Sequence, residues 1–211
     1  MRRRAEQVDV TRQRITEAAV RLHTTVGPTQ TSIAAVAAAA GVTRLTVYRH
    51  FADLDTLFLA CRAHWLAQDP PPDASAWPAI ADLDERVRHA LTELYEWYRR
   101  RGEELYPIYR DGTTLPLATQ AARREENRAQ GDALVAGFVQ SGERGRRLQA
   151  VARHLCDFGT WRSFAVQQGL DDREVVDVGA RLISAVLAPA ADPATARPTL
   201  PDDGDPTPSA G

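Results

Sequence analysis

Between Thr31 and Phe51 the chain reads TSIAAVAAAAGVTRLTVYRHF, and no other stretch constrains its fold so tightly. Thr31-Ser32 can cap a helix, because their hydroxyls accept hydrogen bonds from the backbone N–H groups that a first helical turn leaves unpaired. Ile33, Val36 and Ala40 follow at helical spacing on a background of alanine, the best helix former. Gly41 ends that helix, since it takes φ > 0 without a Cβ clash, and Val42 beside it can plug the corner. Thr43 then caps a second helix. At about 100° per residue, Val47 and Phe51 share its inner face, while Leu45, Thr46, Tyr48 and Arg49 spread over the outer one. That outer face mixes donors, an aromatic hydroxyl and an apolar Leu, with no carboxylate from Thr43 to Phe51. It suits phosphate oxygens and base edges better than bulk water. The spacing fits a helix-turn-helix, whose second helix enters the major groove, and equally an ordinary helical hairpin.

The flanking residues separate these readings. From Thr11 to Ala60 the string TRQRITEAAVRLHTTVGPTQTSIAAVAAAAGVTRLTVYRHFADLDTLFLA resembles the N-terminal DNA-binding domain of the tetracycline-repressor (TetR) family. Gly27, Thr31, Ile33, Val36, Ala37, Ala40, Gly41, Val42, Thr43, Val47, Tyr48, Phe51, Leu57 and Phe58 fall on the family pattern. The run Gly41-Val42-Thr43-x-x-Thr46-Val47-Tyr48-x-His50-Phe51 is its most specific part. The resemblance implies an all-α protein of about nine helices: an N-terminal three-helix DNA-binding domain followed by a helical ligand-binding and dimerisation domain.

Chemistry and resemblance together assign roles in the reading head. Arg44 and Arg49 can each bond bidentately to guanine O6 and N7, Thr46 to either kind of base edge, and Leu45 can touch a thymine methyl. Thr31, Tyr48 and His50 match positions that bind phosphate in related proteins, and Thr43 joins them as a phosphate contact; such contacts fix register without reading sequence. Arg2, Arg3 and Arg4 are expected on a disordered basic arm, residues 1–9, adding phosphate or minor-groove contacts. Two departures from the family pattern count against tight binding. Leu54 stands where a lysine is usual, and Ala34, Ala35 and Ala39 stand where charges are usual.

Composition supports an anionic partner for this part alone. The chain has no lysine, so all 26 basic residues are arginines. Split at His64, the first part has nine Arg against five Asp plus Glu, and the remainder seventeen against twenty-three. The basic surplus therefore belongs to the N-terminal module. Cys61 and Cys156 show no metal-ligand spacing, so neither a metal site nor a cofactor is expected. No run reaches the ~18 apolar residues of a membrane span, and the expected location is the cytoplasm. HExxH, GxSxG, Walker and Rossmann signatures do not occur, which argues against an enzyme; Asp53/Asp55 and Glu103/Glu104 read as caps and solvated charges.

The expected organisation runs as follows. Residues 10–52 form the helix-turn-helix domain, with Ile15, Ala19, Leu22 and Val26 on the inner face of its first helix and Gly27-Pro28 ending it. Residues 53–68 form a connecting helix and 69–77 a proline-rich linker. The second domain spans 78–188. Within it Ile80, Leu83, Val87, Leu91, Leu94 and Tyr98 predict a helix to about Arg100, followed by a loop with a short helix between Gly102 and Pro116. Further helices are expected over 117–139, 146–168 and 172–187. The tail, 189–211, has six prolines and four aspartates against Arg197 and should be disordered.

In the family the last two helices pair with their copies in a second subunit, which implies a homodimer here through Val151, Leu155, Gly159, Val175, Val178, Gly179, Leu182 and Val186. Gly159 and Gly179 could equally fill tight spots within one subunit. The family's second domain also encloses an effector cavity, and Trp97, Tyr98, Tyr106, Tyr109, Phe138, Phe158 and Trp161 are its candidate lining. Core packing is the plainer role for each of them. The resulting expectation is a homodimeric repressor that binds a palindromic operator in double-stranded DNA and is released by a small molecule. The alternative is a ligand-binding helical dimer whose reading head has weakened or lost its hold on DNA.

Overall fold

In the computed structural model, which describes residues 2–139 and 141–188, nine α-helices and no strand occur among the described residues. They are α1 (Arg2–Thr25), α2 (Ile33–Ala40), α3 (Arg44–His50), α4 (Leu54–Gln68), α5 (Leu83–Arg110), α6 (Leu117–Leu134), α7 (Glu143–Leu155), α8 (Phe158–Arg162) and α9 (Asp172–Leu187). The tail expected to be disordered lies outside the described residues.

Two apolar cores organise them. The first gathers Ile15, Ala18 and Ala19 of α1, Val36, Ala37 and Ala40 of α2, Val47 and Phe51 from α3, and Leu57 and Cys61 of α4. The second is built on α5, against which α9 packs, and includes Leu91, Leu94, Leu134, Leu148, Leu155 and Ile183. Helix α4 serves both: Leu57 and Cys61 face the first core, while Trp65 belongs to the second. The connecting helix therefore joins the two halves through buried side chains on both sides.

Four expectations are corrected. Residues 2–9, expected as a loose arm, continue α1, and the Arg-, Ala-, Glu- and Gln-rich run RRRAEQVD contains no Pro or Gly to stop it. The 69–77 linker is not a free spacer. Trp97 Nε1 donates to the Asp69 carbonyl at 3.0 Å, and residues 74–79 form a 3-10 turn that buries Trp77 in the second core.

Helix α5 does not stop near Arg100 but runs through Gly102 and Pro107 to Arg110. The Trp161 ring lies over Gly102, where a Cβ would come within 3.3 Å of it, so a residue that reads as a breaker is a packing notch. The long helix expected over 146–168 is split at Cys156-Asp157. Asp157 caps α8 by accepting from Gly159 N, and a π-helical turn, Ser163–Gln167, continues it. Two buried tyrosines settle the carbonyls at the end of α7: Tyr95 Oη donates to Leu155 O at 3.0 Å and Tyr98 Oη to Cys156 O at 2.7 Å.

Candidate nucleic-acid interface and interior cavity

The turn between α2 and α3 is made as its residues require. Ser32, rather than Thr31, is the N-cap of α2 and accepts from Ala35 N. Gly41 sits in the left-handed region at φ 63°, with its N–H on the carbonyls of Ala37 and Ala38. Thr43 Oγ1 accepts from Thr46 N at 3.2 Å and lies 2.9 Å from Thr46 Oγ1. Val47 and Phe51 are buried against α1 and α4, which fixes the rotation of α3 and turns its other face outward.

On that outer face stand Arg44, Leu45, Tyr48 and Arg49, all exposed, with Leu45 at 70%. Arg44 and Tyr48 are four apart, as are Leu45 and Arg49, so the four make one continuous patch. Among the described residues neither arginine forms an ion pair, and both are exposed, so their guanidinium groups face an outside acceptor. His50 is half-buried beside them. Thr31 is a weaker candidate than its position suggests. Its hydroxyl donates to Gly27 O at 2.9 Å and its N–H to Pro28 O, so both donors are spent within the loop. The backbone of Arg2, Arg3 and Arg4 lies in the first turns of α1.

The basic surplus of the N-terminal module is partly structural, which its count could not reveal. Arg14 Nη2 donates to Ala40 O at 2.7 Å, and Arg12 donates to His50 O while its guanidinium lies 4.2 Å from the Phe51 ring centre. These side chains from α1 therefore cap the C-terminal ends of α2 and α3, where carbonyls lack partners and the dipole favours a cation. Arg62 pairs with Glu126 of α6. Leu54, 52% exposed, offers no charge beside α3.

Behind this module lies a cavity of about 110 Å³. Helix α1 contributes Val20, His23 and Thr24 to its wall, and α4 contributes Phe58, Cys61, Arg62 and Trp65. From α5 come Trp97, Tyr98, Leu105 and Tyr109, and from α6 the polar stripe Thr119, Arg123, Glu126, Asn127 and Gln130. Of the seven aromatics expected there, Trp97, Tyr98 and Tyr109 line it. The other four do not. Phe158 and Trp161 pack on Tyr98 with ring centres 5.3 and 5.8 Å from it, Phe138 lies under Arg86, and Tyr106 is held on the surface beneath Arg162. Sequence reading missed the α6 stripe because five polar residues at helical spacing look like a solvated face.

Burial shapes the protonation of the wall. His23, stacked on Phe58 with ring centres 4.3 Å apart, has its pKa pushed down from 6.5 to about 4 and stays neutral. The Cys61 thiol is pushed up to about 12 by burial, as is that of Cys156, where Asp157 adds to the effect. Neither thiol is a nucleophile near neutrality. Burial also raises Tyr98 and, against the opposing pull of Arg123, Tyr109.

Asp111, buried at the end of α5, joins the halves a second time. It accepts from Thr29 N at 3.0 Å and Thr29 Oγ1 at 2.6 Å, and pairs with Arg110, which itself donates to Val26 O. Its carboxyl is held well below the usual range by Arg110 first and then by Thr29, against the cost of burial.

The residues expected at a dimer seam divide into two groups. Leu155, Val175 and Gly179 lie inside this subunit; a Cβ on Gly179 would come within 2.7 Å of Leu91 Cδ1. They cannot touch a second copy. Leu182 is 42% exposed, Gly159 is exposed, and Val151, Val178 and Val186 are half-buried. Among the described residues no group of side chains is set to hold a metal ion, and no helix is long and apolar enough to cross a membrane.

The fold and the α3 patch define a class: an all-helical protein with an N-terminal helix-turn-helix head on a larger helical body. Residues 15–61 match the family model of bacterial regulatory proteins, tetR family, so this module is similar to the N-terminal domain of those regulators. A solved structure described as a TetR transcriptional regulator from Rhodococcus sp. RHA1 is similar over 87% of this chain and 99% of its own, with a TM-score of 0.52 and 19% identity, which is a likeness of fold. No curated protein matches the chain.

Proposed function

We propose that the protein is a homodimeric repressor that binds a palindromic operator and is released when a small molecule enters the cavity. The observation that carries the DNA reading is the exposed, carboxylate-free face of α3, with two arginines that form no ion pair among the described residues. Release is supported by the make-up of the cavity wall. Helices α1 and α4, which hold α3 in place, also line the cavity, so an occupant touches the frame of the reading head directly. In a dimer fitted to successive major grooves about 34 Å apart, a change in that frame alters the separation of the two heads. Such a regulator works in the cytoplasm, where its operator is.

Arg44→Ala tests the reading. Selection of bound sequences followed by mobility shifts should show base preference relaxed at one position of each half-site, by about 1 to 3 kcal/mol. Equal loss on every sequence would instead make Arg44 a phosphate contact. The exposed Leu54 and the alanines at 34, 35 and 39 favour a second reading, a ligand-binding dimer with a weakened head. Weak retention indifferent to sequence, in place of one palindrome bound with a steep salt slope, would establish that second reading.

A further inference from the structure

The charges around the cavity leave one group unspent. Glu126 pairs with Arg62. Glu104 accepts from Trp65 Nε1 and has Arg101 Nη2 at 3.0 Å, near enough to neutralise it though not aligned as a hydrogen bond. His23 is uncharged near neutrality. Arg123 remains: its guanidinium lies 3.8 Å from the Tyr109 ring centre, it pairs with no carboxylate among the described residues, and its buried Nε has no hydrogen-bond partner among them. One turn earlier on α6, Thr119 is 4% exposed and its Oγ1 also lacks a partner. Two orphaned polar atoms on one face of one helix, both on residues lining the cavity, are unusual, because buried polar groups are nearly always satisfied.

We propose, building on the release reading above, that the cavity takes a single-ring aromatic carboxylate, with Arg123 and Thr119 meeting its carboxylate and the wall aromatics its ring. Three features select this class. The volume, about 110 Å³, is near that of an apolar protein cavity which accepts benzene, so one ring is the natural occupant. Phe58, Trp65, Trp97 and Tyr109 supply flat contact surface. The wall has an uncompensated cation and no uncompensated carboxylate, which selects an anion over a neutral or cationic ring. A guanidinium and a carboxylate in a water-poor site form a charge-assisted bond, and the hydroxyl donates to the same anion.

The experiment uses the full chain with benzoate, salicylate, benzamide and benzylamine as probes, read by tryptophan fluorescence, since Trp65 and Trp97 line the cavity. At least one ring acid should titrate saturably with Kd below about 1 mM. Benzamide and benzylamine should bind at least tenfold more weakly. Arg123→Met should bring the acids to the level of benzamide, and Thr119→Val should weaken them severalfold; circular dichroism melts establish that each variant folds, and Thr119→Val carries the test should Arg123→Met unfold. Benzamide matching benzoate, a preference for benzylamine, acids that fail to saturate, or acid affinity untouched in the folded variants would each overturn the proposal. Mobility shift on the same samples keeps the two readings apart. A ring acid that binds without releasing operator DNA upholds the ligand class and sinks release; intact operator binding with no acid bound sinks only the class.

Discussion

A single residue, His23, links stability to the cavity wall. Its ring is 4% exposed and stacks on Phe58, and burial moves its pKa from 6.5 to about 4. The unfolded chain takes up a proton near pH 6.5, while the folded chain resists until about pH 4. Stability present above the first value is therefore lost progressively as pH falls toward the second, by on the order of 3 kcal/mol. Asp111 acts in a separate window. Its folded pKa lies below 3.8, so its contribution is intact throughout the His23 range and is lost only in stronger acid. Urea unfolding at several pH values should show His23→Leu flattening the slope between pH 4 and 6.5; a variant as pH-dependent as the parent would assign that slope to other groups. In the sequence His23 is an unmarked residue late in a helix. What makes it matter is a partner 35 positions away, Phe58, brought over it by the packing of α4 on α1.

Among the elements, those whose signals are local were legible and those decided by remote contacts were not. Caps, a positive-φ glycine and helical spacing lie within twenty residues for α2 and α3, and Ser32, Gly41 and Thr43 act as their types require. Gly102 and Pro107 carry equally clear local signals for a stop. The long α5 persists because the Trp161 ring fills the space over Gly102, a contact 59 residues distant in the chain. The end of α7 was hidden for the same reason, since it is the hydroxyls of Tyr95 and Tyr98 on α5 that satisfy its last carbonyls. Helix α6 carries no local sign of its inner face: its polar stripe lines the cavity, and Gly131 presses on α7. A Cβ there would come within 2.6 Å of Arg153 Cα and 2.7 Å of Arg153 N, atoms that cannot swing aside as a side chain does. Gly131→Ala should therefore cost about 1 to 3 kcal/mol in urea unfolding despite alanine's better helix propensity. A neutral or stabilising result would mean that α6 and α7 can part without loss.

For the whole molecule, the proposed reading places a seven-residue α3 on only a few base pairs, so useful specificity in a genome would require two heads on one duplex. The surface that could join two copies is narrower than the sequence suggested. Gly179, expected at the seam, packs on Leu91 and Leu155 of its own subunit, so enlarging it would test the core rather than the dimer. Leu182 is different: 42% exposed, it lies on the outer side of α9, one turn from half-buried Val178 and Val186, while Val175, Val176 and Ile183 hold the helix down. Leu182→Glu places two like charges across any two-fold seam through this face and removes apolar contact from both sides, without touching the subunit's interior. Light scattering should then give the mass of a monomer with an unchanged melting curve. Operator affinity should fall together with the salt slope, because each head would release its counterions alone. Dimers that persist in this variant would move the seam off the outer face of α9, and monomers that keep full operator affinity would refute the need for two joined heads.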